Sequence, residues 1–86
     1  MFTTPGCGAC RHLRALLTPL ADELGLPLYE VDAGREGALV HAMEVFHLPA
    51  LFLYQQGQFH AEISAEPRAL RGAIEAAARG PAQEEP

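Results

Sequence analysis

The order of apolar segments predicts an α/β fold: a short strand, a helix, a strand, a helix, two strands and a closing helix, with a mixed sheet of about four strands flanked by helices. Three observations carry it. Leucines recur at helical spacing between Leu13 and Leu24, and a compact apolar run, Leu48 to Tyr54, is followed by the turn pair Gln56-Gly57. A proline-led stretch from Pro67 to Ala77 then returns to helical spacing.

Met1 to Thr4 form the short first strand, which the turn pair Pro5-Gly6 ends. From Cys10 to Leu24, Leu13, Leu16, Leu17, Leu20 and Leu24 make one stripe, while Arg11, Arg14, Asp22 and Glu23 can face water. Pro19 removes a backbone donor and crowds the Ala15 carbonyl, so this helix is expected to kink near Thr18 or divide there. Gly25 supplies its stop. Leu26 to Asp32 reads as a strand, and a second helix is expected from Arg35 to about Phe46, burying Leu39, Val40, Met43 and Phe46. Leu48 to Tyr54 is short enough for a buried strand, and Gln58 to Ile63 can return antiparallel as a hairpin edge. The last helix begins near Glu66-Pro67, buries Leu70, Ala73, Ile74 and Ala77, and ends at Gly80-Pro81. Residues 1–80 are thus expected to form one domain, with 81–86 a flexible polar tail.

Composition narrows the function. Eleven acidic against six basic residues give a formal charge of −5, and the basic residues neither cluster nor interleave with aromatics, so a nucleic-acid partner is not expected. The sequence has no apolar run of membrane-spanning length, and Met1 to Pro5 lacks the basic start and apolar stretch of a secretory signal; the expected setting is the cytoplasm, away from membranes. No phosphate-binding glycine loop or serine nucleophile elbow is present, and no cofactor is expected.

The only cysteines are Cys7 and Cys10, spaced Cys7-Gly8-Ala9-Cys10 directly before the first helix. A thiol at a helix start meets unpaired backbone N–H groups and the positive end of the helix dipole, both of which favour the thiolate. Cys7 is therefore the candidate nucleophile. Cys10, one turn inward, can resolve a mixed disulfide formed at Cys7. Two other readings stand beside this one. A metal-binding dithiol would have to borrow His12 or a second chain to complete its ligands, and a binding or scaffold domain could retain the pair without useful catalysis. His41 and His60 read as ordinary surface residues, and Arg11 as a solubilising one that points away from Cys7 on a regular helix.

With Ala21-Asp22-Glu23 late in the first helix, Val31-Asp32 ending the next strand, Leu48-Pro49 and the Leu51 to Phe59 hairpin, the dithiol resembles that of the thioredoxin-like superfamily over residues 2 to about 79. The resemblance implies a thiol–disulfide oxidoreductase that reduces protein disulfides. It makes Cys7 the attacking thiol, Cys10 the resolving thiol and Pro49 a cis-proline beside them. Gly8, Ala9, His47, Leu48 and Pro49 would then contact substrate, with Leu48 offering its backbone to an extended segment. The implied partners are a protein or small-molecule disulfide and a recycling reductase or thiol. The chain also departs from the family. Met1 stands where thioredoxin has a buried aspartate, Thr3 and Gly6 replace its tryptophans, and Ser64-Ala65-Glu66-Pro67 lacks a glutathione-holding signature. Phe2 reads either as core or as an apolar patch left open by the brief first strand, and such a patch favours self-association as a homodimer or a partner protein.

Overall fold

The computed structural model describes residues 1–86 and holds the expected element order: β1 (Phe2–Thr3), α1 (Gly8–Glu23), β2 (Val31–Asp32), α2 (Gly37–Ala42), β3 (Leu51–Gln55), β4 (Gln58–Ile63) and, after a 3-10 turn at Pro67–Ala69, α3 (Leu70–Arg79). β1 runs parallel to β2, with Phe2 opposite Val31, and β3 runs antiparallel to β4. The two pairs join where Phe2 and Ala50 exchange backbone hydrogen bonds of 2.8 and 3.3 Å. The mixed sheet therefore runs β2, β1, β3, β4.

Side-chain alternation divides the core between the two sheet faces. Met1, Leu51, Leu53, Ala61 and Ile63 meet Leu13 and Leu17 of α1 and Leu70 and Ile74 of α3. Phe2, Ala50 and Phe59 pack with Met43 on the opposite face, beside Val40 of α2. Phe59 and Ala61 share strand parity yet face opposite sides. A bulge explains this: Tyr54 pairs with Phe59 while Leu53 pairs with Ala61, so His60 is an extra residue that reverses the alternation. The hairpin turn carries positive φ at both Gln56 (53°) and Gly57 (77°), as a two-residue turn between right-twisted strands requires.

Several elements differ from the sequence expectation. α1 runs undivided through Pro19. Pro19 and Ala15 both lie on its solvent side, so water can reach the carbonyl that loses its partner. Its buried line is Cys10, Leu13, Leu17 and Ala21, while Leu16 turns outward at 40% exposure. The helix closes with Gly25 N–H donating to Asp22 O and Leu26 N–H to Ala21 O, a Schellman arrangement.

The strand expected over Leu26–Asp32 contracts to Val31–Asp32, because β1 offers only Met1 to Thr3 as partners and residues 26–28 have nothing to pair with. The second helix is only Gly37–Ala42 and starts without a side-chain cap. Glu44, at φ 53°, ends it with the same paired bonds that end α1, from Glu44 N–H to His41 O and Val45 N–H to Val40 O. Phe46 consequently falls outside the helix and is 88% exposed rather than core, and Leu39 is also exposed. β3 begins at Leu51, after the cis Leu48–Pro49 bond.

Candidate functional site: the Cys7–Cys10 dithiol

β1 leads straight into the site. Thr4-Pro5-Gly6-Cys7 closes as a turn, with Cys7 N–H donating to Thr4 O at 3.3 Å and Gly6 at φ +82°, the conformation that a type II turn needs at its third residue. The turn delivers Cys7 as the N-cap of α1, in extended conformation. Its carbonyl accepts the Arg11 N–H at 3.1 Å, and its sulfur accepts the Cys10 N–H at 3.1 Å. One of the orphan donors of the helix start is thus satisfied by Sγ itself.

Cys7 and Cys10 are disulfide-bonded, with their Cα atoms 5.2 Å apart, inside the usual span for such a bridge. Their surroundings differ sharply. Cys10 is 1% exposed on the buried line of α1, whereas Cys7 is half-buried and Gly8 and Ala9 are open to solvent. Cys7 is the more accessible of the two. The pair is a thiol–disulfide site at the start of α1.

Arg11 lies along Gly8 of the dithiol loop. A Cβ built on Gly8 would lie 3.7 Å from a terminal guanidinium nitrogen of Arg11, so the side chain folds back along the dithiol loop and sets a positive charge beside it. Helical regularity alone could not reveal this, because it fixes the direction of Cβ and not the course of a long flexible side chain. His12 and His41 are exposed, without hydrogen bonds to other side chains. No group of three or more His, Cys, Asp or Glu side chains gathers where it could hold a metal ion.

Beneath the site, Arg14 donates to both oxygens of Glu30 at 2.7 Å, and the buried Thr3 hydroxyl donates to Glu30 at 3.3 Å. This network ties α1 to the segment before β2. The Arg14 hydrogen bonds chiefly, helped by the Arg14 charge and the Thr3 hydroxyl, hold the Glu30 carboxyl below the usual carboxylate range. Met1 is buried among apolar side chains.

The antiparallel Phe2–Ala50 bridge runs Leu48-Pro49 back along the chain towards Thr4 and the Cys7 turn, at one end of the sheet. Leu48 and Pro49 are half-buried and His47 is exposed. His47 shares with Phe46, Val45, Glu44 and Ala50 the wall of a depression of about 280 Å³. Phe46 was missed as a surface residue because its helical spacing with Val40 and Met43 suggests a core position; the helix stops first. His60 was missed too: its Nε2 lies 2.8 Å from Ala77 O and 3.1 Å from Gly80 O, so it caps the C-terminus of α3. On the outer edge of β4, Gln83 donates its N–H to His60 O at 2.7 Å and accepts the Glu62 N–H at 3.0 Å.

Against this geometry, a family model described as Thioredoxin matches residues 1–77. No curated protein matches the chain.

Proposed function

The chain belongs to the thioredoxin family, and we propose that it acts there as a reductant of protein disulfides, with Cys7 as nucleophile and Cys10 as resolving thiol. The observation that carries the assignment of roles is the asymmetry of the bridge: Cys7 is only half-buried at the helix start while Cys10 is 1% exposed. A substrate disulfide can reach only the former.

In the reduced state the Cys7 thiolate, favoured by the Cys10 N–H, the helix start and the nearby Arg11 cation, attacks one sulfur of the substrate disulfide. The substrate S–S bond breaks, one substrate thiolate leaves, and a mixed disulfide forms at Cys7. Cys10 loses its proton and attacks Cys7 Sγ, releasing the second substrate thiolate and regenerating the bridge. Two electrons pass to the substrate. A reductase or small thiol must return them, and the cytoplasm is the compartment that holds such donors.

In this reading the backbone of Leu48 pairs with an extended substrate strand. Gly8, Ala9, His47 and Pro49 are the other residues proposed to contact substrate; Gly8, Ala9 and His47 are exposed and Pro49 is half-buried. The negative net charge and scattered basic residues argue for a protein rather than a nucleic-acid partner. No helix is long and apolar enough to cross a membrane. We take residues 1–80 as the working domain.

The test is insulin disulfide reduction with a recycling thiol, run on the wild type, Cys7→Ser and Cys10→Ser. The wild type should turn over, Cys7→Ser should be inactive, and Cys10→Ser should accumulate a mixed disulfide visible by mass spectrometry. A wild type no faster than Cys7→Ser would overturn the proposal, and trapping on Cys10 in the Cys7 variant would overturn the assignment of roles.

A further inference from the structure

On the sheet face that carries Phe2 and Phe59, the depression of about 280 Å³ has Ala50 and Phe52 in its lining. Its wall comes from the stretch between α2 and β3. Glu44, at φ 53°, turns the chain out of α2, and Phe46 and His47 follow on the rim, directly before Leu48. A single exposed aromatic ring is common on protein surfaces. Phe46 is set apart by its surroundings: at 88% exposure its ring walls a recess instead of standing free.

The charged side chains around the recess are of one sign. Glu44 and Glu62 both line it, and neither is ion-paired, since the salt bridges of the molecule join Arg14 to Glu30, Arg35 to Asp32 and Arg71 to Glu23. Glu62 stands directly opposite Phe52 in the hairpin, so its carboxylate rises beside an aromatic ring at the edge of an apolar face. No arginine lines the recess, and Arg11 belongs to α1, across the sheet from it. Pro86 lies on the remaining side. Gln83 holds that stretch against the outer edge of β4, and the intervening Glu84 and Glu85 are exposed.

We propose that this recess is a substrate subsite for a basic side chain, arginine or lysine, close in sequence to the cysteine of the disulfide being reduced. The subsite rests on the reductant reading above, in which Leu48 pairs with the substrate backbone. Phe46 is two residues from Leu48, at most about 7.6 Å between Cα atoms, so a long side chain on the paired segment reaches its ring. The apolar stem would lie along Phe46 and the cationic head over the ring face, where the quadrupole attracts it. The Glu44 and Glu62 carboxylates would accept its N–H groups, and the neutral ring of His47 offers one further acceptor. An acidic side chain would meet two unpaired carboxylates there. The net charge of −5 draws basic substrates towards the whole molecule, whereas the recess fixes where along the substrate the cation stands.

The test uses the intact reduced chain and the peptide acetyl-Ala-Ala-Cys-Ala-Ala-amide with thionitrobenzoate disulfide-bonded to its cysteine. The Cys7 thiolate attacks the peptide sulfur, the coloured thionitrobenzoate leaves, and Cys10 then displaces the peptide thiolate from Cys7. Each alanine is replaced in turn by arginine and by citrulline, its uncharged isostere. At one position the arginine peptide should react about three- to tenfold faster than its citrulline partner, beyond the ratio found at the other positions. Phe46→Ala and Glu62→Gln should each bring that excess down to the ratio of the other positions; both side chains are exposed, so neither change disturbs the core. The same ratio at every position would overturn the proposal, since it marks long-range attraction alone. So would a position-specific excess that survives both substitutions, which places the cation elsewhere. A parent alanine peptide that reacts no faster with the wild type than with Cys7→Ser would instead overturn the reductant reading, and the subsite with it.

Discussion

Replacing glycine by alanine should act in opposite directions at Gly6 and Gly72. At Gly6 an added Cβ meets nothing within 4 Å, so the effect is purely conformational: φ stands at +82°. Holding an L-residue there costs about 1–2 kcal/mol. The stiffer unfolded chain returns about 0.4–1 kcal/mol, which leaves Gly6→Ala less stable by about 1 kcal/mol. At Gly72, inside α3, the added Cβ also meets nothing within 4 Å, but the backbone is helical, and alanine should stabilise by about 0.5–1 kcal/mol. Urea unfolding of the oxidised protein should therefore move the two midpoints apart, with unchanged slopes. Because Gly6 sets the turn that presents Cys7 as the helix cap, Gly6→Ala should also slow insulin reduction, while Gly72→Ala should leave it unchanged. Midpoint shifts of the same sign would refute the reasoning, since the local contacts of the two positions are equally open and only φ separates them.

Other expectations follow from the same coordinates. Glu44→Gly removes a Cβ from a residue at φ 53° and should raise stability by several tenths to about 1 kcal/mol, read from the urea midpoint. Arg11→Ala should slow iodoacetamide alkylation of reduced Cys7 a few-fold in dilute buffer, and the difference should shrink at about 1 M salt, where screening acts over about 3 Å. Glu30 has a folded-state pKa below its unfolded value, so its contribution to stability is present above about pH 4.3 and is lost as pH falls through the folded value. Glu30→Gln should accordingly be less stable than the wild type at pH 7, with the gap closing in acid. The Arg14–Glu30 pair is largely exposed, so that gap should be small and sensitive to salt.

Element order and dithiol were legible in the sequence because each rests on local chemistry: leucine spacing for α1, Gln56-Gly57 for the hairpin, Pro67 for the start of the last helix. Boundaries were less legible wherever a neighbour decides them. Residues 26–28 have strand composition but lack a partner, and Phe46 has helical spacing with Met43 although the helix stops at Ala42. The cis bond before Pro49 was reachable only through family likeness, because an X-Pro pair alone favours trans. His60 and Arg11 lay beyond sequence reasoning for a common reason. The bulge that turns His60 towards α3 and the path that folds Arg11 over Gly8 are tertiary facts, without a periodic signature.

A two-residue central strand looks a weak support for a catalytic helix start, yet its bonds are concentrated where the dithiol needs them. Met1 and Thr3 bond towards β2 through Tyr29 O, Val31 N–H and Ala33 N–H, and Phe2 exchanges both bonds with Ala50. Met1, Phe2 and Thr3 are all buried, Phe2 stacks edge-on against Phe52 at 5.6 Å, and the Thr3 hydroxyl joins the Arg14–Glu30 network that holds α1. The backbone leading into the Cys7 turn is therefore clamped on both sides. The position of Cys7 is set by the turn and the paired strand behind it.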